Sequence, residues 1–215
     1  MKHLLTLTTL FVLGLFTQAN AQFILGGNIG FNAQKETNEV GSDKEETKST
    51  TITVVPRLAY VMGNNWVGLD VGITNNTTKF PGFNNNTIEQ KTNLISVNPF
   101  FRHIQKPTEN FGIWVEAQAG VGFGKTQTDG RDIENVSVFG ASLRPGVIFF
   151  IGNHLSFEAS FGRLGFSQTT ITDADNSDNK DITSDFGLNL NNNGIGINAL
   201  GVINSGFLLG VNWLF

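Results

Sequence analysis

Apolar residues alternate with other residues, with a period of two, over most of this chain. The clearest case is the C-terminal stretch, where Phe207, Leu209, Val211, Trp213 and Phe215 occupy every second position. Strict alternation predicts a β-strand with one apolar face, because successive side chains of a strand point to opposite faces. Seven further stretches alternate in the same way, around residues 25–33, 52–60, 67–73, 95–102, 113–123, 139–149 and 155–162. The pattern therefore predicts eight strands of about 9–13 residues, long enough to cross a bilayer at a tilt.

Strands of this kind fit two architectures that place the apolar face differently. A soluble sandwich or lipocalin-like barrel buries that face, whereas a membrane barrel turns it toward lipid and lines its interior with polar side chains. Three features favour the membrane barrel. The polar positions hold mostly Gly, Ser, Asn and isolated charges. Short connections at 63–65, 104–110 and 151–154 alternate with long polar ones at 36–50, 75–91, 126–135 and 168–185. Aromatic residues that could form interfacial girdles lie near strand ends, namely Tyr60, Trp66, Phe101, Phe149, Phe150 and Trp213.

We therefore predict an all-β fold, an eight-stranded antiparallel up-and-down transmembrane β-barrel with short periplasmic turns and long extracellular loops. The stretch 186–205 fits this plan less well. Phe186, Leu188 and Leu190 alternate before a turn signal at 191–194, and the alternation resumes at Ile195. This stretch predicts either an extra hairpin above the membrane or an extended start of the last strand. A barrel of ten strands is the alternative to eight.

The N-terminus has the pattern of an export signal. A basic start at Lys2 precedes the apolar run 4–16, and Ala19 and Ala21 form the A-x-A pattern of small residues before a cleavage site. We predict a signal peptide over residues 1–21, cleaved before Gln22, and one β-barrel domain over residues 22–215. An exported barrel is expected in the outer membrane of a cell envelope with two membranes.

Composition narrows the classes of function. The 215 residues include 18 Asp and Glu, 14 Lys and Arg and no Cys, and the formal net charge is −4. The missing cysteines exclude a disulfide scaffold, a cysteine-ligated zinc site and a cysteine nucleophile. The negative charge argues against nucleic acid as a partner. The 25 Gly and 19 Phe, with only 15% charged residues, are typical of strands and turns rather than helices.

Several motifs resemble those of small outer-membrane β-barrels. They are the cleavage site at Ala21-Gln22, the pattern Pro56-x-x-x-Tyr60, the segment 96–102 and the aromatic terminal strand 206–215. The chain is similar in form to the OmpA transmembrane domain and to OmpX, in the version of this porin-like family that is common in Bacteroidetes. The resemblance implies that the barrel-assembly machinery recognises the terminal strand. Outer-membrane lipid and lipopolysaccharide are the other expected partners. A second domain of the OmpA kind is not expected after Phe215.

Six charged residues meet in the lumen if the polar faces of the strands point inward. Their signs alternate along the sequence, so that neighbouring strands offer opposite charges: Arg57, Asp70, Arg102, Glu116, Arg144 and Glu158. An eight-stranded barrel is only wide enough for its own side chains. We therefore expect these charges to pair with one another and to close the lumen. The alternative is a gated or narrow path for small solutes.

Three further signals for chemistry are weak. Residues 119–126 nearly match a phosphate-binding loop, but they continue a strand and no helical pattern follows. The acidic stretch 173–181 lacks the Gly and Glu that a calcium-binding loop requires. His103 and His154 lie at short turns, away from the outer rim where a lipid-modifying enzyme would act.

We predict no cofactor, no metal and no enzymatic activity. The expected role is structural or interactive, with the loops contacting an extracellular ligand of unidentified class. A lipid-modifying enzyme and a soluble secreted β-protein are the remaining alternatives.

Overall fold

The computed structural model describes residues 22–40, 43–82, 86–189 and 207–215. The predicted signal peptide, with Ala19 and Ala21, lies outside the described residues. Ten β-strands follow one another: β1 (Gln22–Val40), β2 (Asp43–Met62), β3 (Asn65–Pro81), β4 (Thr87–Gln105), β5 (Phe111–Thr128), β6 (Arg131–Ile151), β7 (Leu155–Phe161), β8 (Arg163–Asp173), β9 (Lys180–Asn189) and β10 (Phe207–Leu214). No helix among the described residues is long and apolar enough to span a membrane.

Eight of these strands form a closed antiparallel ring, which confirms the predicted up-and-down barrel. β1 to β7 follow one another around the ring, and β10 lies between β7 and β1. Ring closure pairs backbone groups that would stay unpaired at the edges of an open sheet. One rim carries the turns 63–64, 106–110 and 152–154, and we call it the short-turn rim. The opposite end, where the strands extend furthest, is the long-hairpin rim.

The barrel is inverted relative to a soluble protein. On β4 the side chains of Ile95, Val97 and Phe101 point outward and are 42–59% exposed, whereas Asn98 and Arg102 point inward and are fully buried. The same alternation runs around the ring and along β8 and β9, so that 32 large apolar side chains of the described residues are exposed. The positions predicted to form the outward apolar face do so wherever their side chains are described.

The strands are longer than predicted. β1 to β6 contain 17 to 21 residues, because the connections predicted as long loops at 36–50, 75–91 and 126–135 largely continue the strand pairing as hairpins. Polar side chains pair across the strands that form these extensions. The hydroxyl of Thr78, for example, donates to that of Ser49 at 3.3 Å. Alternation among polar residues leaves no hydrophobic period, so the sequence pattern did not reveal these extensions.

β7 and β8 run one after the other beside β6, and the break between them is at Gly162, where the backbone adopts a φ of 71°. β7 pairs with β6 as far as Ser160 opposite Gly146, and β8 resumes with Leu164 opposite Leu143. One extra residue is therefore inserted on this strand, as in a β-bulge, and the faces of the following residues are exchanged. This exchange explains why the sequence pattern missed β8.

β8 pairs in turn with β9, so the connection predicted as a loop at 168–185 is mostly a hairpin of two strands. Phe186 and Leu188, from the stretch that the sequence left ambiguous, belong to β9 and face Phe166 and Leu164 on β8. Residues 190–206 lie outside the described part of the chain. The closed ring has the predicted eight strands rather than ten.

The interior contains apolar side chains that the sequence analysis did not predict. At the short-turn rim nine buried side chains pack together, and we call them the apolar floor: Ile24, Ala59, Trp66, Phe100, Ile104, Trp114, Ile148, Phe150 and Leu214. The prediction of Trp66 and Phe150 as outer girdle residues is wrong, because both positions face inward. A smaller inner cluster consists of Leu94, Val136, Val138 and Leu208.

Candidate functional site

The six charged residues predicted to share the lumen all point into it. Each lies on a different strand from β2 to β7 and is at most 5% exposed, and we call them the lumen cluster: Arg57, Asp70, Arg102, Glu116, Arg144 and Glu158. Three arginines face three carboxylates, so the formal charge of the cluster is zero. Burial of charges side by side is tolerated only where they compensate one another.

Arg57 connects carboxylates on three other strands. Its Nε and Nη2 donate to the two carboxylate oxygens of Asp70 on the adjacent strand, each at 2.7 Å. The same Nη2 donates to Glu116 at 2.9 Å, and Nη1 donates to Glu158 at 3.2 Å. A planar guanidinium can grip one carboxylate with two parallel hydrogen bonds and still donate to others, which a lysine ammonium cannot do.

Arg102 connects the lumen cluster to the apolar floor. Its Nε and Nη2 donate to one oxygen of Glu116 at 3.0 and 2.7 Å, and Nη2 also donates to Glu158 at 3.2 Å. The guanidinium carbon lies 3.8 Å from the ring centroid of Trp114 and 5.1 Å from that of Trp66. These are cation–π distances, so the aromatic rings of the floor also stabilise the positive charge.

Arg144 contacts one of the two carboxylates that its neighbouring strands offer. The alternation of charges offered Glu116 on one side and Glu158 on the other, and the structure places Arg144 beside Glu116 and not beside Glu158. Its Nη2 donates to Gln118 at 2.5 Å and lies 3.5 Å from Oε1 of Glu116. The strand register explains the difference, because Arg144 faces Glu116 on β5, whereas Glu158 faces Ile148 on β6.

Buried asparagines border the lumen cluster. The amide of Asn212 donates to Glu158 at 2.9 Å and to Ser156 at 3.4 Å. Its oxygen lies against Gly26 on the adjacent strand, where a Cβ would collide with it. The sequence signal for this arrangement is an Asn facing a Gly on the next strand, and it recurs at two further pairs, Asn28 with Gly210 and Asn98 with Gly120.

Glycines also make room for the apolar floor. A Cβ on Gly146 would overlap the indole ring of Trp114, and a Cβ on Gly68 would collide with the ring of Phe100. A glycine in a strand often marks such a close approach of a neighbouring group. These two glycines therefore allow large rings to occupy a narrow interior.

The weaker candidates of the sequence analysis lie elsewhere. His103 ends up near the last residues of β4, and His154 stacks on Trp213 with ring centroids 5.9 Å apart, so both lie at the short-turn rim. Residues 119–126 form part of β5. The acidic stretch 173–181 joins β8 to β9. Within the described ranges, no three His, Cys, Asp or Glu side chains come together in a way that could hold a metal ion.

The terminal strand presents its apolar residues outward. Leu209, Val211, Trp213 and Phe215 are 46–65% exposed on the outer surface of the barrel. The backbone of Phe207 faces that of Phe161 on β7, and its side chain lies outside the described part of the structure. The strand thus combines an outward apolar face with the inward Asn212 that contacts the lumen cluster.

Comparison with protein-family models and with curated protein sequences gives no match. Among solved structures, the chain is similar to the outer membrane protein OprG from Pseudomonas aeruginosa, with a TM-score of 0.51 and 11% identity over 92% of this chain and 97% of that chain. It is also similar to Neisserial surface protein A (NspA), with a TM-score of 0.41 and 12% identity over 91% of this chain and 99% of that chain. The likeness to OprG shows that this chain has the fold of a small outer-membrane β-barrel.

Proposed function

We propose that the chain is an integral outer-membrane β-barrel protein with a structural and surface-interaction role, whose lumen is closed by the lumen cluster and the apolar floor. The observation that carries the proposal is the inverted surface, on which 32 large apolar side chains of the described residues are exposed while six charged side chains are buried. Soluble monomers rarely expose continuous apolar patches larger than a few hundred Å². An apolar band around the whole barrel is favourable against lipid.

The apolar band has the height of a bilayer core. On β5 its outward residues run from Ile113 to Phe123, which is about 33 Å along a strand that rises ~3.3 Å per residue. At the ~40° tilt of small barrels this corresponds to about 25 Å along the axis, the usual height of the band in outer-membrane barrels. Aromatic residues border the band, with Phe23 packed edge-on against Tyr60 at the short-turn rim and Phe31 toward the other end.

The packing of the interior supports a closed lumen. An eight-stranded barrel has room for little more than its own side chains. Buried ion pairs cross this space, and the apolar floor fills it at the short-turn rim. A solute would have to separate the ion pairs and displace aromatic rings. A porin-like narrow channel is the second candidate, because the lumen cluster lines the interior with charges that could guide a small solute.

The proposal includes export by a signal peptide that is cleaved after Ala21 and recognition of β10 by the barrel-assembly machinery. The outward aromatic residues Trp213, in β10, and Phe215, directly after it, support this recognition. The proposal also includes contact with outer-membrane lipid and lipopolysaccharide, and the finer resemblance to the OmpA transmembrane domain and OmpX in their Bacteroidetes form. No catalytic activity is part of it.

Heat modifiability of the full-length protein tests the membrane barrel. A closed barrel stays folded in cold SDS, migrates on a gel as a compact species, and shifts to slower migration after boiling. We expect the protein in the outer-membrane fraction with such a shift. Recovery in the soluble fraction without detergent, together with no shift on boiling, would contradict the proposal and favour a soluble β-protein.

Planar-bilayer recordings test the closed lumen. We expect no steady single-channel steps from the wild-type protein. Arg57→Gln should also give none, because the apolar floor remains in place. Combining it with Trp114→Ala should produce steps, because the change removes the ring that fills the interior beside Gly146. Steady conductance of the wild-type protein would favour the narrow channel instead.

A further inference from the structure

Lysine side chains are concentrated on the outer face of the barrel, near the long-hairpin rim. The cations of the lumen cluster are all arginines. By contrast, six of the seven lysines whose side chains are described occupy outward positions toward the long-hairpin rim. We call these six the lysine belt: Lys35, Lys48, Lys79, Lys91, Lys125 and Lys180. The whole chain carries a net charge of −4, so the grouping of these lysines is not explained by an excess of basic residues in the composition.

Three lysines of the belt stand directly opposite one another. Lys35 on β1 faces Lys48 on β2, and Lys48 faces Lys79 on β3. Facing residues of an antiparallel pair have Cβ atoms about 4.5–5.5 Å apart, and like charges at such positions are destabilising. The row spans two strand spacings, or about 10 Å. Such a row of ammonium groups is favourable when an anion lies against it.

Glutamates neutralise the belt only in part. Glu46 lies 2.6 Å from Lys35 and 3.3 Å from Lys48, and Glu89 bridges the next two lysines at 3.1 and 2.6 Å. Hydrogen bonds from these lysines lower the pKa of both glutamates, which are therefore ionised at neutral pH. Because each glutamate is shared by two lysines, each group of three keeps one positive charge. Lys125 is paired separately with Asp132, at 2.6 Å.

The lysine belt begins where the apolar band ends. On β1 the last large apolar residue that points outward is Phe31 and the first outward charge is Lys35, and on β2 the corresponding residues are Ile52 and Lys48. Four residues rise about 13 Å along a strand. The headgroup layer on each side of the hydrocarbon core is about 5–8 Å thick, and a lysine can bend its flexible chain toward it. The ammonium groups therefore reach the height of the headgroups.

We propose that the lysine belt, centred on the row of Lys35, Lys48 and Lys79, binds the phosphorylated saccharide headgroups of outer-leaflet lipid. This inference rests on the proposed membrane location. The belt faces sideways, where lipids surround the barrel, whereas a soluble anion would approach the hairpin tips from above. The inward positions at the same height are uncharged: Gln34, Ser49 and Thr78. The positive charge is thus restricted to the side that meets lipid.

The test compares lipid binding of full-length variants purified in folded form in detergent. Lys48→Gln/Lys79→Gln removes two charges of the belt, and Lys48→Arg/Lys79→Arg keeps them. Lys106→Gln/Arg131→Gln is the matched control, because it removes two positive charges outside the belt. Each protein is titrated with bisphosphorylated lipid A and, separately, with the dephosphorylated lipid. Heat modifiability of every variant reports whether it is folded.

We expect the wild-type protein to prefer the phosphorylated lipid. The Gln pair should weaken its binding about 10- to 30-fold, from the usual contribution of a basic residue near an anionic surface. The Arg pair and the control pair should stay within about twofold of the wild-type protein. Equal loss in the control pair, or equal binding of the dephosphorylated lipid, overturns the headgroup inference while heat modifiability still supports the barrel. A wild-type protein without the heat shift overturns the proposed function and this inference with it.

Discussion

Replacing Arg102 by methionine tests whether the charges of the lumen cluster compensate one another. The change removes the hydrogen bonds to Glu116 and Glu158 and leaves two carboxylates buried in the interior. It also removes the guanidinium that lies 3.8 Å from the ring centroid of Trp114. Methionine is long and flexible enough to fill most of the vacated space, so a cavity is a minor part of the expected effect.

Two contributions set the magnitude. Removing one partner of a buried ion pair lowers stability by about 3–5 kcal/mol, and a desolvated cation–π contact adds about 0.5–2 kcal/mol. Arg57 still lies 2.9 Å from Glu116 and 3.2 Å from Glu158, and it offsets part of this loss. We therefore expect Arg102→Met to lower the free energy of unfolding by about 3–5 kcal/mol. The double variant Arg102→Met/Glu158→Gln should recover about half of that loss, because one uncompensated charge is gone.

Urea unfolding in lipid vesicles, followed by tryptophan fluorescence and by the compact species on cold SDS gels, measures this free energy. The same substitution at Arg131, the exposed first residue of β6, is the control and should change stability by less than about 0.5 kcal/mol. The reasoning is refuted if Arg102→Met has no larger effect than Arg131→Met. Buried charges that lose their partner without consequence cannot have been compensating one another.

Two further predictions concern the wall and the hairpins. Gly146→Val should abolish the compact gel species, because its side chain would overlap the indole of Trp114, whereas Gly187→Val, whose Cβ meets open space, should leave the heat-dependent shift unchanged. An NMR titration should give Glu46 a midpoint below the ordinary pKa of a glutamate, since hydrogen bonds from Lys35 and Lys48 lower it, and Lys48→Gln should raise that midpoint. The stabilisation that the Glu46 carboxylate contributes is fully present above the ordinary glutamate pKa, and it is lost as the pH falls through the lowered pKa of the folded state. An unshifted midpoint would mean that the lysines do not hold the carboxylate.

Alternation along the strands is the most informative sequence signal in this chain. Once one face of a strand is assigned outward, every second residue is fixed, and this is why the inward positions of the lumen cluster could be predicted. The rule fails at Gly162, where one inserted residue exchanges the two faces. It also does not fix which charges meet. Arg144 pairs with Glu116 rather than Glu158 because of strand register, which the composition of the strands does not specify.

The apolar floor shows a different limit of sequence-based prediction. Trp66 occupies the position before the outward Val67 and therefore had to face inward, but its place near a strand end suggested an outer girdle. The expectation of a polar interior suits wide, water-filled barrels. In an eight-stranded barrel the interior is narrow enough for side chains to exclude water, so large rings such as Trp66 and Trp114 can be buried there.

The joint between the first and last strands has a consequence for how the barrel forms. Six facing pairs, from Ile24 with Leu214 to Ile29 with Leu209, connect residues from opposite ends of the chain. The pairings from β1 to β6 are between consecutive strands and can form from the connecting turn outward. This is fast because little chain entropy is lost. The β1–β10 pairing can form only when both ends of the chain are in place. The last intermediate of folding is then an incomplete ring with β1 exposed, and a free peptide with the sequence of β10 would compete for that edge only before the ring closes.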